Sequence, residues 1–219
     1  MKPGRNAVPI STILFDFDGT LVETMDLKTA AFRSLYAPHG EAVQDAAAER
    51  YLASAGTSRL DRIRACHQAL LGESPSDSVV RQLSDLFGSM VEDKVVAAPW
   101  VPGADTFLAE YAGKLTLFIV SATPQQELER ILDRRGMTDA FAAIVGSPPD
   151  KLTLIHDIIS TFWLAPETIL MVGDGRADYE AANANGVRFV GRVRDGHPDP
   201  FPPGTATIRD LSELPTYLA

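Results

Sequence analysis

Asp16, Asp18, Ser121, Lys151 and Asp174 stand where apolar runs stop or a helix begins. The set offers carboxylates, one hydroxyl and one ammonium, and it suits phosphoryl chemistry. Carboxylates gathered at one place repel each other, and a hard divalent cation relieves the repulsion. Magnesium prefers oxygen ligands, usually one or two carboxylates with water and a substrate phosphate. Asp16 would attack phosphorus and form an aspartyl-phosphate. Asp18, two residues on, would protonate the leaving alcohol and later deprotonate the attacking water. Ser121 and Lys151 would hold the phosphoryl oxygens and offset their charge. Gly19 permits a sharp turn that lets backbone amides face a phosphate. Each residue alone has a simpler explanation. Asp18-Gly19 and Gly173-Asp174-Gly175 are turn-forming pairs, Ser121 is a loop or capping hydroxyl, and Lys151 is a solvated helix residue. Their joint order and placement is what points to chemistry.

The elements that must position them are legible. Ile10–Phe17, Leu115–Val120, Ile144–Gly146, Thr168–Val172 and Val187–Val190 are short apolar runs, and Ala206–Ile208 adds a short edge. Near-continuous apolar runs suit strands buried on both faces of a parallel sheet. Helices alternate with them. One is predicted to begin at Thr123-Pro124, as N-cap and first helical residue, and to stop at Gly136. Others cover Leu152–Phe162 and Ala177–Asn185. Alternating strands and helices imply an α/β fold with right-handed crossovers. In such sheets ligands bind outside the carboxyl ends of the strands, so residues distant in sequence converge there. Leu21–Ala98 breaks the rhythm: it reads as about four amphipathic helices, with breaks near Pro38-His39-Gly40, Gly56 and Gly72–Pro75. Residues 1–20 and 99–219 are therefore expected to form one domain, with 21–98 as a smaller inserted helical domain.

Composition sets the outer bounds. The chain has 219 residues, 45% hydrophobic and 22% charged, with a net charge of -9. This describes an ordinary globular protein, and the negative charge argues against nucleic acid or anionic membranes as partners. The single cysteine, Cys66, excludes an internal disulfide and fits a reducing, cytoplasmic setting. Met1–Asn6 reads as a polar tail, and no run reaches the ~20 apolar residues of a membrane span.

Asp16-Phe17-Asp18-Gly19-Thr20 resembles the DxDGT motif of the haloacid dehalogenase-like hydrolases. Val120-Ser121-Ala122-Thr123 resembles their second motif, Lys151 the third, and Gly173-Asp174-Gly175-Arg176-Ala177-Asp178 the fourth, GDxxxD. The resemblance covers nearly the whole chain and is nearest to the phosphoglycolate phosphatase-like branch. It implies a Rossmann-like catalytic core with an inserted helical cap. It further implies that Asp16 is the nucleophile, Asp18 the general acid/base, and that Mg2+ is held by Asp16, the Asp18 backbone carbonyl and Asp174. Asp178 would support the metal site or Lys151. Ser121, Lys151 and the Ala122 backbone would bind phosphate, with Gly19 and Thr20 shaping the loop around it. One departure stands out: many members of the branch carry Asn where this chain has Ala122.

The expected activity is magnesium-dependent hydrolysis of a small phosphate monoester by a monomer. The main alternative is a sugar-phosphate mutase, because Gly56-Thr57-Ser58-Arg59 resembles a mutase cap loop. Arg59 would then touch substrate. The same segment also reads as a helix break with Ser58 as N-cap and Arg59 solvated. A dehalogenase would have no use for Asp18. A phosphonate hydrolase would need a Schiff-base lysine, for which Lys28 is available. A catalytically silent binding protein is disfavoured by the full set of motif residues. The histidines are read as loop or surface residues, Trp163 as packing on the sheet, Asp133-Arg134-Arg135 as a solvated helix end, and Arg192–Gly204 as a surface loop.

Overall fold

The computed structural model describes residues 8–54 and 56–218. The polar tail Met1–Asn6 lies outside them. Every apolar run predicted as a strand is one: β1 (Thr12–Phe15), β2 (Thr116–Pro124), β3 (Ala143–Ser147), β4 (Ile169–Gly173), β5 (Arg188–Arg192) and β6 (Thr207–Ile208). They form one six-stranded parallel sheet in the order β3-β2-β1-β4-β5-β6. Four helices follow β1: α1 (Met25–Leu35), α2 (Glu41–Ala53), α3 (Arg59–Leu71) and α4 (Asp77–Ala97). Then come α5 (Ala104–Tyr111), α6 (Gln125–Arg134), α7 (Lys151–Thr161) and α8 (Arg176–Ala184). No described helix is long and apolar enough to cross a membrane.

The continuous apolar character of the strands has a direct cause: both sheet faces are covered. Ile13, Phe15, Leu117, Ile119, Leu170 and Val172 pack into one apolar cluster. Their neighbours Leu14, Phe118, Val120, Ile169 and Met171 point the other way, against Leu154, Ile155 and Ile158 of α7 and Ala181 and Ala182 of α8. The first cluster continues into α1–α4 through Phe32, Tyr51, Ile63, Phe87 and Val91.

The two connections to the helical segment run side by side. Glu23 N–H donates to Pro99 O at 2.9 Å and Val101 N–H to Leu21 O at 3.0 Å. A buried ion pair joins α3 to α6: both terminal nitrogens of Arg59 donate to Glu127, at 2.7 and 2.6 Å. Gly88 on α4 permits this approach, since a Cβ there would lie 2.7 Å from Glu127 Oε2.

Several expectations are corrected. β2 continues through Thr123 to Pro124, which pairs with Ser147 of β3, so α6 begins at Gln125. Thr123 cannot cap α6, because its hydroxyl is turned to Asp18. Arg59 is buried, not solvated, although Ser58 does cap α3 by accepting from Asp61 N–H. Trp163 is 92% exposed, and Phe162 takes its place on the sheet, edge-on to Phe118. His67 is buried against the Tyr36 hydroxyl. Arg135 is not a solvated helix end: it donates to the carbonyls of Val95, Val96 and Ala98 at the end of α4. Arg192 is buried in β5, paired with Glu23.

Removing one member of a buried ion pair leaves the other charged and uncompensated. Arg59→Met should lower the unfolding free energy by about 3–5 kcal/mol. Adding Glu127→Leu should recover most of that loss, because no buried charge remains. Urea unfolding of the single and double variants measures both effects.

Candidate active site

The sheet order changes direction between β1 and β4, which opens a crevice at their carboxyl ends. The register aligns Phe15 with both Ile119 and Val172, so the residues that follow these strands leave the sheet at one level. Asp16 N–H donates to Val172 O at 2.9 Å and fixes that edge. Asp16, Asp174 and Asp178 thereby offer carboxylate oxygens within 4.8 Å of one another. Lys151, the first residue of α7, reaches between two of them, donating to Asp16 at 2.6 Å and to Asp178 at 2.5 Å. The second oxygen of Asp178 accepts from Gly175 N–H at the start of α8.

The charge balance is uneven. Burial pushes the Asp16 carboxyl up, Lys151 opposes the rise, and Asp178 and Asp18 add to it, leaving it at about 7. Burial also lifts Asp174 well above the ordinary carboxylate range, with Asp16 and Asp178 adding. Burial would lower Lys151, but Asp16 and Asp178 outweigh it and hold the ammonium above its usual value. One ammonium thus serves a crowd of carboxylates.

Asp18 lies in a different environment. It accepts from Thr24 at 2.8 Å, from Thr123 at 2.8 Å and from Lys28 at 2.5 Å. Burial favours its neutral form, but Lys28 and the two hydroxyls prevail and depress its pKa. Lys28 and Thr24 belong to the start of the helical segment, so that segment and the sheet meet on one carboxylate.

Ser121 is buried, and its Oγ accepts from Thr123 N–H at 3.1 Å. Ser121, Ala122 and Lys151 line a cavity of about 40 Å³ together with Asp16, Asp18 and Asp174. Lys28, Arg59 and Arg62 line the same cavity from the helical segment. Gly19 and Thr20 do not line it. The Gly19 amide donates to Val22 O at 2.8 Å, closing the turn, and is not free to face a phosphate. The need for glycine there is steric: φ is 77°, and a Cβ would lie 2.1 Å from Asp174 Oδ2. Gly19 makes room for Asp174. Thr20 is fully buried behind the loop.

Reading the sequence alone misses Thr24, Thr123, Arg62 and Glu127. Two of them had a signal. Glu127 lies on the same α6 face as Leu128, Ile131 and Leu132, and Arg62 shares the buried α3 face with Ile63 and Cys66. A charge on an apolar helix face must meet a partner or a ligand.

The family model for haloacid dehalogenase-like hydrolases matches residues 13–192. A phosphoglycolate phosphatase of Mesorhizobium japonicum is 29% identical over 219 aligned residues, covering 94% of each chain. The phosphoglycolate phosphatase of Salmonella typhimurium is 27% identical, covering 83% of this chain and 81% of its own. The crystal structure of a predicted phosphoglycolate phosphatase from Haemophilus somnus superimposes with a TM-score of 0.75 at 19% identity, over 98% of this chain and all of that one. With its motif residues gathered at one sheet edge and the family model spanning most of its length, this chain belongs to the haloacid dehalogenase-like hydrolases.

Proposed function

We propose that the protein is a magnesium-dependent phosphatase that hydrolyses a small phosphate monoester through an aspartyl-phosphate. The carrying observation is the convergence of Asp16, Asp174 and Lys151 beside Asp18 around one small cavity. Relatives named phosphoglycolate phosphatase support the same reading.

The donor set fits a divalent cation. Asp16 and Asp174 are both raised by burial and mutual repulsion, and hard oxygen ligands are what magnesium selects. Asp174 has no hydrogen-bond donor among the described residues, whereas Asp16 and Asp178 share Lys151. Asp16, the Asp18 carbonyl and Asp174 would hold the ion, with Asp178 behind them orienting Lys151. Magnesium, when bound, would keep the carboxylates ionised and neutralise charge on the phosphoryl oxygens.

The chain's own residues then divide the work. Asp16 attacks phosphorus as the ester P–O bond breaks, and Asp18 delivers a proton to the leaving oxygen, for which the Lys28 contact that holds it ionised must first be given up. Lys151 and Ser121 hold the phosphoryl oxygens in place. In the second half Asp18, now a carboxylate, takes a proton from water as that water attacks phosphorus. The Asp16–phosphorus bond breaks and inorganic phosphate leaves. Thr24, Thr123 and Lys28 orient the ionised Asp18 for that second role.

Residues 1–20 and 99–219 act as the catalytic core and 21–98 as a cap that shuts water out during the first transfer. The paired connections at Leu21–Glu23 and Ala98–Val101 are the hinge. The mutase reading has less support, because Arg59 of its characteristic loop is already held by Glu127. The proposed setting is cytoplasmic, where buried Cys66 stays reduced, and the working unit is a monomer.

Asp16→Asn should cut magnesium-dependent phosphate release from a generic ester by at least ~1,000-fold. Unchanged release would reject the nucleophile. Hexose 1-phosphates should give free phosphate and no isomerised sugar phosphate; isomerised product would favour the mutase. Magnesium should also raise the unfolding temperature, since it binds only the folded carboxylate cluster. Asp174→Asn should erase that rise while the far-ultraviolet circular dichroism stays the same.

A further inference from the structure

Arg192 ends β5, belongs to none of the sequence motifs, and is 5% exposed. Its Nε donates to Arg209 O at 3.0 Å. Its Nη1 donates to Gly19 O at 2.8 Å and to Glu23 Oε2 at 3.1 Å, and its Nη2 to Glu23 Oε1 at 2.5 Å. Glu23 belongs to the connection into the helical segment, and its amide donates to Pro99 O in the returning connection. One guanidinium therefore joins the loop after β1, the paired connections and the chain after β6.

The contact to Gly19 is the one that bears on chemistry. The Asp18 carbonyl, named above as a ligand of the ion, shares one planar peptide with the Gly19 amide. That amide is anchored on Val22 O at 2.8 Å. The next peptide along is anchored through its carbonyl by Arg192. The torsions of Gly19 lie between the two anchors, at a φ of 77°. Glycine restrains its own torsions less than any other residue, so the restraint comes from the anchors. Thr20 does not supply it, because its buried hydroxyl has no hydrogen-bond partner.

Stability alone does not account for the pair. Apolar residues of similar volume often match or better a buried ion pair. An exposed pair already ties the same two parts of the chain, since Arg194 donates to Asp26 of α1 at 2.9 and 2.8 Å. A lysine could neutralise Glu23, but the planar fork of arginine reaches Glu23, Gly19 O and Arg209 O together.

We propose that Arg192 is a positioning residue: by holding the Gly19 carbonyl beside the Glu23 connection it fixes the direction of the Asp18 carbonyl, and with it the affinity of the site for a divalent ion. The assignment rests on the phosphatase reading and adds to it a residue of β5 that acts through the loop.

The test measures Mn2+ binding to the full chain by the paramagnetic resonance of free Mn2+. It is run alongside kcat and KM for p-nitrophenyl phosphate with magnesium. Arg192→Lys keeps a positive charge beside Glu23 and should keep the far-ultraviolet circular dichroism of the wild type. It should nevertheless weaken Mn2+ binding by ~10-fold or more and lower kcat by ~10–100-fold, with KM within ~3-fold. Arg192→Met combined with Glu23→Leu leaves neither charge of the pair and should show the same losses. Arg194→Met should leave Mn2+ binding and kcat within ~2-fold. If Arg192→Lys does not fold, the double variant decides by the same criteria; if neither folds, the pair is structural and the assignment is overturned. Wild-type Mn2+ binding and kcat in the folded variant overturn it too. So do equal losses in Arg194→Met, because tethering of the two parts would then be the cause. A wild type that binds Mn2+ but releases no phosphate rejects the phosphatase reading, while the Mn2+ comparison still decides Arg192. A wild type that binds no Mn2+ rejects both.

Discussion

The structure is organised around an electrostatic problem. Asp16, Asp174 and Asp178 are packed within 4.8 Å of one another, in a place where burial already disfavours their charged forms. Lys151 satisfies two of them. The strands deliver these groups to one level, and the glycine at position 19 clears the space into which Asp174 fits. A neutral or apolar substitution at any of these carboxylates would relieve the crowding. In the proposed function the same crowding would serve as a site for a cation and for a phosphoryl group in transit.

The helical segment takes part in the same charge balance. Lys28 and Thr24 approach Asp18 from α1, and Arg59 crosses to Glu127 on α6. Apolar packing is continuous from the sheet into α1–α4. The cavity is consequently walled by both parts of the chain, and its small volume follows from their close approach. In the proposed function the helical segment would face the leaving group of the ester, while the reacting groups stay at the sheet edge.

Much of this was legible in the order of residues. The six strands follow from apolar runs of strand length, and the four inserted helices from the breaks at Pro38–Gly40, Gly56 and Gly72–Pro75. Asp16, Asp18, Ser121 and Asp174 were placed by the rule that strand ends carry the chemistry, and Lys151 by its position at the start of a helix. The misreadings have a shared cause. Thr123-Pro124 carries the local signature of a helix start, but pairing with β3 extends the strand through it. Gly19 was read as permitting a sharp turn, and the turn is there, but the sequence did not show that glycine also leaves space for a side chain 155 residues away. Arg135 looked solvated because its three carbonyl partners come from the end of α4.

By itself the sequence determined the alternation of buried strands and helices, the inserted helical segment, and the identity of the groups proposed to react. These depend on local periodicity and on residue type, which neighbours along the chain reveal. The tertiary structure alone decided which cation faces which carboxylate. Lys28 with Asp18, Arg59 with Glu127, and Lys151 with Asp16 and Asp178 are pairings set by distances between elements far apart in the chain. Coulombic attraction and desolvation depend on those distances and on burial, and no spacing along a sequence specifies either.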